Sequence, residues 1–444
     1  MNYEETLTYL FNSTPVFEHV GASAYKEGLD NSLALDRHLG HPHQQFRSVH
    51  IAGTNGKGST AHTLASILQE SGYRVGLYTS PHLVDFRERI RVDGLPISKE
   101  YVVDFVRRER PFFAPLHPSF FELTTAMAFQ YFAHRRVDIA VVEVGLGGRL
   151  DCTNILSPLL SVITNISLDH TGFLGDTLEQ IAREKAGIIK PHIPVVIGET
   201  TPETRPVFLE TAQRNEADIH FAQEEEEEEV TGQICGTDGQ TWLTTRSYGS
   251  LPLWLDGSYQ LRNANTILCA VNELRRLGIR CDEEAVRRGF SRVCENTGLM
   301  GRWQRLQNRP TVICDTGHNV GGWEYLSRQL KAQVCRQLRI VFGMVDDKDL
   351  DSVLALLPQE ARYYFTQAQT HRAIPSRTVK EKAIQRRLAG ESYDDVPSAY
   401  RAALSDANPE DFIFVGGSSY VVADLLTSLA SKDDQLEESP SASR

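Results

Sequence analysis

Short apolar runs alternate with longer stretches of helical periodicity over most of the chain. The apolar runs at 48–52, 74–79, 137–142, 159–164 and 194–197 have the length of buried strands. Between them the pattern predicts helices, among them 61–68, 98–108 and 119–135, the last with Ser119 as its N-cap. This order of elements is typical of a doubly wound, mostly parallel α/β sheet.

The alternation stops and then restarts in the last third of the chain. Residues 296–302 have the composition of a linker, and further strands are predicted at 311–314, 338–342, 363–365 and 412–415. We therefore predict a larger N-terminal domain of residues 1–297 and a smaller Rossmann-like domain of residues 298–430. Residues 431–444, rich in Ser, Asp and Glu, are predicted to be a disordered tail.

Two parts of the N-terminal domain have a weaker pattern. Residues up to about 47 favour one or two amphipathic helices with a loop at 21–28 between them. The pattern fades again over 215–255, where the acidic run 224–229 is predicted to be a solvated loop because adjacent like charges repel.

The amino-acid composition excludes only a few classes of function. The 444 residues carry a formal net charge of -12, which argues against non-specific nucleic-acid binding. The seven cysteines are scattered and never spaced C-x-x-C, so reduced thiols are expected rather than zinc ligands or disulfides. The N-terminus lacks a basic segment followed by an apolar core, and no run has membrane-spanning length, so we expect a cytoplasmic protein without a membrane partner.

A glycine-rich loop lies between the first strand and the first helix of the alternation. Backbone N–H groups of such a loop, the N-terminus of the helix and one lysine together favour a triphosphate. The loop differs from the usual P-loop pattern, because Ile51 replaces the first glycine and Gly58 separates Lys57 from the hydroxyls that follow. A simple glycine-rich turn is the alternative. The candidate phosphate-binding residues are Gly53, Thr54, Asn55, Gly56, Lys57, Gly58, Ser59 and Thr60.

Polar side chains follow several other predicted strands. Ser80, Glu143 and His170 stand at carboxyl ends, where ligands bind in open parallel sheets, and they could hold the Mg²⁺ that accompanies a nucleotide. His170 is equally well explained as a hydrogen-bonded structural histidine, and Lys185 as one exposed helix lysine. The motif 315–319 follows the first strand of the second domain. Two nucleotide-binding-like domains joined by a linker are expected to form a cleft between them. Such a cleft suits a ligase that must exclude water from a reactive intermediate.

Taken together, these motifs resemble the folylpolyglutamate synthase/dihydrofolate synthase family of the Mur ligase superfamily. The resemblance extends from about residue 20 to about residue 425. It departs from the family at Thr316 and Gly317, where Gly-Ala is usual, and at Met300, where Pro is common; neither change removes a functional side chain. The motifs that carry it are 53–59, 79–83, 143–151, 169–170, 184–187, 301–303 and 315–319.

The resemblance implies an ATP-dependent ligase that adds L-glutamate to dihydropteroate or tetrahydrofolate. It also implies two Mg²⁺ ions, is compatible with a monovalent cation, and favours a monomer. The loop would hold the phosphates, Ser80, Glu143 and His170 the first Mg²⁺, and Lys185, once carbamylated, the second. Asn263, Arg302 and Asp315 match ATP contacts, and the catalytic set would be Lys57, Lys185, Asp315 and His318. The folate would contact Gly28, Leu29, Asp30, Asn31, Arg149 and Asp151.

Two other functions remain open at this point. A Mur-type peptidoglycan ligase needs a further N-terminal domain for its UDP-linked substrate, and the residues before Gly53 are expected to be too few for one. A non-ligating P-loop NTPase would hydrolyse ATP without an acceptor, but it leaves the motif 315–319 unexplained.

Overall fold

The computed structural model describes residues 1–13, 28–224, 229–235, 241–253, 257 and 259–437. The predicted loop at 21–28 lies outside this part of the chain except for Gly28. The described residues divide into two compact units, the first reaching Leu299 and the second beginning at Met300. The second unit also takes in Leu83–Asp85, a segment that the predicted boundary at 297/298 assigns to the first.

The first unit is built on an eight-stranded sheet in the order β4-β3-β2-β5-β1-β6-β7-β8. All neighbours from β2 to β8 pair in parallel, and only β3 and β4 are antiparallel. The predicted doubly wound, mostly parallel sheet is thus confirmed. Its strands are β1 (Arg47–Ala52), β2 (Val75–Tyr78), β3 (Ile90–Val92), β4 (Leu95–Pro96), β5 (Ile139–Glu143), β6 (Leu160–Ile163), β7 (Val195–Ile197) and β8 (Ile219–Phe221).

Helices cover both faces of this sheet. The helix after β1 is buried along most of its length, because it packs between the sheet and three later helices. The helix predicted at 119–135 begins with a capping box, in which Ser119 and Glu122 bond each other's backbone N–H groups. The helices are α1 (Tyr3–Ser13), α2 (Asp30–His38), α3 (Lys57–Glu70), α4 (Lys99–Phe113), α5 (Phe120–His134), α6 (Thr171–Leu174), α7 (Leu178–Ala186), α8 (Arg205–Arg214), α9 (Gln260–Arg276), α10 (Glu283–Ser291) and α11 (Val293–Thr297).

A small antiparallel sheet occupies the region where the sequence pattern fades. It consists of β9 (Val230–Cys235), β10 (Thr241–Thr245) and β11 (Gly249–Leu253), and its Leu243 and Leu251 join the main core. Glu229, at the end of the predicted solvated run, is buried instead. Its carboxylate accepts hydrogen bonds from Ser247 and Asn272, which compensate for the loss of water.

The second unit has a six-stranded sheet in the order β12-β13-β17-β14-β15-β16, parallel except at β12. This is the predicted Rossmann-like domain. Its strands are β12 (Gln304–Asn308), β13 (Thr311–Asp315), β14 (Leu338–Phe342), β15 (Arg362–Phe365), β16 (Gly390–Ser392) and β17 (Phe412–Gly416). Its helices are α12 (Val320–Lys331), α13 (Leu350–Leu356), α14 (Ser376–Gln385), α15 (Val396–Ser405) and α16 (Ser419–Glu437).

The last helix ends at Glu437 and so continues past 431, where the sequence predicts a disordered tail. Residues 438–444 lie outside the described part of the chain. Among the described residues, no helix is both long enough and apolar enough to cross a membrane.

Trp323 provides a test of the packing of the second unit. Its side chain is fully buried between α12 and the sheet, where it contacts Phe342 and Phe414 edge to face. We expect Trp323→Ala to lower the free energy of unfolding by about 3–5 kcal/mol, measured by chemical denaturation followed by circular dichroism. Val334→Ala is the control, since that side chain is fully exposed and should change the value by less than about 0.5 kcal/mol. Equal effects of the two substitutions would contradict this packing.

Candidate active site

The candidate site of the first unit lies at the carboxyl edge of its sheet. Strands β2, β5, β1 and β6 are adjacent and parallel, so the segments that follow them leave the sheet at the same edge. Ser80 follows β2, Glu143 is the last residue of β5, the glycine-rich loop follows β1, and His170 follows β6. The topology thus brings four separate sequence motifs to one place.

The glycine-rich loop is fixed to the segment after β6. The backbone N–H groups of Thr54 and Asn55 donate to the carbonyl and side-chain oxygens of Asn165, at 2.9 and 2.8 Å. The hydroxyl of Thr164 in turn donates to the carbonyl of Asn55 at 2.6 Å. The loop therefore has its shape before any ligand binds, as phosphate recognition by backbone amides requires.

Gly56 ends the loop and caps α3. Its φ of +82° is left-handed, and a Cβ at this position would collide with the side-chain oxygen of Asn263. Helix α9 thus places Asn263 directly against the loop. Gln260, one helical turn earlier, accepts a hydrogen bond from Asn263 and donates to Ser59 at 3.2 Å. Sequence reasoning missed Gln260, although its i, i+3 spacing from Asn263 was a usable signal.

Two lysines converge on the carbonyl oxygen of Gly53. The Nζ of Lys57 lies 3.0 Å from this oxygen and 3.1 Å from that of Thr54, and the Nζ of Lys185 lies 2.9 Å from the Gly53 oxygen. Lys185 is buried, so its interpretation as an exposed helix lysine is wrong. Burial, and then the neighbouring charge of Lys57, lowers the pKa of Lys185 to about 7, against the opposing effects of Asp169 and Asp151. The neutral amine of Lys185 is therefore accessible near neutral pH.

The candidate metal ligands are a hydroxyl, a carboxylate and an imidazole. The backbone N–H of Ser80 donates to the Oε2 of Glu143 at 3.2 Å, so these two residues are in direct contact. Glu143 is buried, and a buried carboxylate needs a compensating cation or hydrogen bonds. His170 begins α6 with a left-handed φ of +49°. The hydroxyl and the carboxylate match the oxygen donors that Mg²⁺ prefers. The Nε2 of His170 lies 3.9 Å from a carboxylate oxygen of Asp169.

The carboxylate of Asp151, a predicted folate contact, accepts hydrogen bonds from within the chain. One carboxylate oxygen accepts from the backbone N–H groups of Gly145 and Leu146, and the other accepts from the N–H and hydroxyl of Thr153. Because the carboxylate is completely buried, its pKa is raised above the usual range. Asp151 thus holds the loop 145–148, and its side-chain oxygens already have four donors.

The hydrogen bonds around Asp151 extend through Thr153 to a residue of the core. The hydroxyl of Thr153 also bonds the Nε2 of His50, a fully buried residue of β1, at 2.8 Å. Burial, with a smaller effect of Lys190, lowers the pKa of His50 to about 3, so the ring is neutral. Sequence reasoning missed both Thr153 and His50, since neither belongs to a motif and their contact is long-range.

The other predicted folate contacts lie around the start of α2. Gly28 and Leu29 precede the helix and Asp30 begins it. The side-chain amide of Asn31 donates to the carboxylate of Glu122 at 3.4 Å and to the carbonyl of Leu116 at 3.5 Å. Arg149 is more than half exposed and donates two hydrogen bonds to Glu184. The backbone N–H of Arg149 bonds the carbonyl of Glu184 at 2.8 Å, which joins the loop 145–151 to α7.

The predicted residues of the second unit cluster at the end of β13. Both oxygens of buried Asp315 accept backbone hydrogen bonds, from Trp303 at 2.7 Å and Gly317 at 2.8 Å. Asp315 therefore fixes the segment that carries Arg302 to the end of the strand. The Nδ1 of His318 lies 3.1 Å from the carbonyl of Thr316.

Comparison with known proteins agrees with this arrangement. The model of the Mur ligase middle domain matches residues 51–271, and that of the Mur ligase glutamate ligase domain matches residues 301–419. Mur ligase domains thus account for the sheets of both units.

Several relatives are similar over nearly the whole chain. The dihydrofolate synthase/folylpolyglutamate synthase of Bacillus subtilis is 35% identical over 414 residues, covering 90% of this chain and 94% of the relative. A probable bifunctional folylpolyglutamate synthase/dihydropteroate synthase of Haloferax volcanii is 35% identical over 451 residues, and the chain spans 50% of that longer relative. The chain belongs to the folylpolyglutamate synthase/dihydrofolate synthase family of the Mur ligases, which confirms the resemblance.

Solved structures of this family have the same fold. Escherichia coli FolC in complex with DHPP and ADP has a TM-score of 0.83 at 32% identity, covering 98% of this chain and 99% of that one. The bifunctional enzyme of Yersinia pestis, complexed with AMPPNP and Mn ion, has a TM-score of 0.80 at 30% identity, with 97% and 98% covered.

Gly56→Ala and Gly72→Ala form a matched pair that tests the contact between the loop and Asn263. Both glycines have left-handed φ values, +82° and +85°, so each alanine costs about 1–2 kcal/mol of backbone strain. Only at Gly56 does the new Cβ displace Asn263, since nothing lies within 4 Å of the equivalent atom at Gly72. We expect ADP affinity, measured by calorimetry, to fall by about tenfold or more in Gly56→Ala alone. Equal affinities would contradict a role for this contact.

Proposed function

We propose that the chain is an ATP-dependent ligase that joins L-glutamate to the carboxylate of dihydropteroate or a reduced folate, with release of ADP and phosphate. The observation that carries the proposal is the pre-shaped loop 53–56 with the cations Lys57 and Lys185 on one carbonyl. It is supported by the relatives named for this activity and by their complexes with ADP. The same proposal describes a monomeric cytoplasmic enzyme.

The reaction follows from the poor reactivity of a carboxylate. A carboxylate oxygen attacks the γ-phosphorus of ATP, the bond to the β-phosphate oxygen breaks, and ADP leaves. The neutral amine of glutamate then attacks the acyl phosphate carbon, and phosphate leaves as the amide forms and the amine loses a proton. Loop amides and the ammonium of Lys57 offset the charge on the phosphates, and positioning supplies much of the rest.

Metal ions complete this charge balance. We assign Ser80, Glu143 and His170 to Mg²⁺, which neutralises phosphate oxygens when bound. The complex of the Yersinia pestis relative with AMPPNP and Mn ion supports a divalent metal. The same proposal includes a second Mg²⁺ and a monovalent cation.

Lys185 is suited to carbamylation. With a pKa of about 7, a substantial fraction is the neutral amine that attacks CO₂, forming an N–C bond and losing a proton. The product replaces a buried cation by a carboxylate-like anion, which relieves repulsion with Lys57 and offers oxygens to a second Mg²⁺.

The remaining assignments follow the family resemblance. Gly28, Leu29, Asp30, Asn31 and Arg149 are proposed folate contacts, whereas Asp151 acts by holding the loop 145–148. Asn263, Arg302 and Asp315 are proposed nucleotide contacts, the last through the segment that it fixes, and His318 is a proposed catalytic residue.

Lys57→Ala tests the ligase assignment. We expect the wild type to release ADP only when glutamate and a pterin-containing acceptor are both present, with dihydropteroate and tetrahydrofolate offered separately and products weighed by mass spectrometry. Loss of the Lys57 charge should lower kcat by about 10²–10³-fold or more. Lys382→Ala, at an exposed lysine paired with Asp351, should leave the rate unchanged.

Two results would contradict the assignment. ADP release that needs neither glutamate nor a folate would favour a non-ligating NTPase. Full glutamate-dependent ADP release by Lys57→Ala would remove Lys57 from the mechanism while leaving the ligase activity intact.

Carbamylation of Lys185 is tested with ¹³C-bicarbonate. Above pH 7 the wild type should show a protein-bound ¹³C carbamate resonance that weakens as the pH falls below about 7, because protonation removes the nucleophile. Lys185→Met should lack this resonance and Lys382→Met should retain it. A resonance of equal intensity in Lys185→Met would show that another amine is modified.

A further inference from the structure

A cluster of Asp36, His41 and His43 lies outside every residue assigned above. The Nδ1 of His41 is 2.7 Å from one oxygen of Asp36, and the Nδ1 of His43 is 2.6 Å from the other. One ligand atom from each of the three residues lies within 4.8 Å of the other two. We propose that these three side chains form a binding site for a zinc ion.

The backbone brings the first two residues together. Gly40 follows the C-cap of α2 with a left-handed φ of +78°, and the N–H of His41 donates to the carbonyl of Asp36 at 2.9 Å. The N–H of Gly40 bonds the carbonyl of Arg37, which completes a Schellman motif. In this motif the positions of Asp36 and His41 usually make an apolar contact. Here that contact is between a carboxylate and an imidazole.

The third donor follows within the same turn. His41 itself has a left-handed φ of +56°, which is unusual for a residue with a side chain, and Pro42 begins a short 3-10 helix after it. His43 lies in that helix and points its Nδ1 at the same carboxylate. A strained residue and a proline therefore hold two imidazoles over one carboxylate.

The donor set matches zinc in type and number. Two imidazole nitrogens and one carboxylate oxygen leave the fourth tetrahedral position to a water, which is the arrangement of an open zinc site. With bonds of about 2.0–2.2 Å, neighbouring tetrahedral ligands lie about 3.3 Å apart. Zinc binding therefore requires each imidazole nitrogen to move away from its Asp36 oxygen, now at 2.6–2.7 Å, and the three donor atoms, which lie within 4.8 Å of one another, to come to this common spacing. Asp36 is buried and His43 mostly so, while the side chain of His41 is 48% exposed, which leaves a path for the ion and for water.

Charge also favours a cation at this position. Among the described residues, no lysine or arginine forms an ion pair with Asp36, and Glu109, the partner of His38 from the same helix as Asp36, is also bonded to Arg108. A buried carboxylate whose ion-pair partners are imidazoles is stabilised further when a cation binds beside it. Bound zinc would join the end of α2 to the segment leading into β1, so its effect should be on stability.

The experiment uses the full chain freed of metal by a chelator. Mg²⁺ is kept in excess to occupy sites with oxygen donors, and Zn²⁺ is added in a calorimeter and in thermal denaturation. We expect one Zn²⁺ per chain and a rise in Tm. We expect the double variant His41→Gln/His43→Gln to bind Zn²⁺ more than about 100-fold more weakly. Loss of a residue that only supports a zinc ligand already lowers metal affinity by about 10–100-fold.

A matched control uses another exposed histidine. His192 pairs with Glu216 at 3.6 Å, and among the described residues this pair has no third ligand, so His192→Gln should retain both the affinity and the rise in Tm. If the double variant is unstable, Co²⁺ bound to the wild type and to His43→Gln gives a second readout through the visible spectrum of a tetrahedral ion. Unchanged Zn²⁺ affinity in the double variant, a Co²⁺ spectrum unaffected by His43→Gln, or no Zn²⁺ bound to the wild type would overturn the proposal.

Discussion

The carbonyl oxygen of Gly53 is the point on which the candidate site depends. Two ammonium groups approach this one backbone atom, although like charges repel strongly away from water. Such an arrangement is stabilised when an anion binds, or when one amine becomes neutral or is converted to an anion. The chemistry proposed for the site offers two of these: the nucleotide brings anionic phosphates, and carbamylation converts the amine of Lys185 to an anion.

The position of the site follows from topology, and topology could be predicted from the sequence. Apolar runs long enough only for buried strands, each separated by a helix, define a parallel sheet whose carboxyl edge collects the segments after β1, β2, β5 and β6. This topology alone predicts that Ser80 and Glu143 lie near the loop. The placement of Asn263 against Gly56 needed the three-dimensional structure, because α9 is far away in the sequence.

The limits of prediction appear where a side chain has two plausible partners. Asp151 and Asp315 stand in ligand-binding motifs, yet both carboxylates accept hydrogen bonds from the backbone of neighbouring loops. Sequence spacing identifies a residue as belonging to a site, but it does not distinguish contact with a ligand from support of the loop that makes the contact. Glu229 shows the same limit, since an acidic run gives no sign that its last member is buried among hydrogen-bond donors.

His50 gives the first unit a particular dependence on acid. Its pKa of about 3 in the folded chain lies well below the value of about 6.5 expected when the chain is unfolded, so the unfolded state takes up a proton that the folded state refuses. Stability contributed at this position is complete above pH 6.5 and declines as the pH falls towards 3. A neutral ring deep in β1 thus makes the integrity of the loop 145–148 sensitive to acidification.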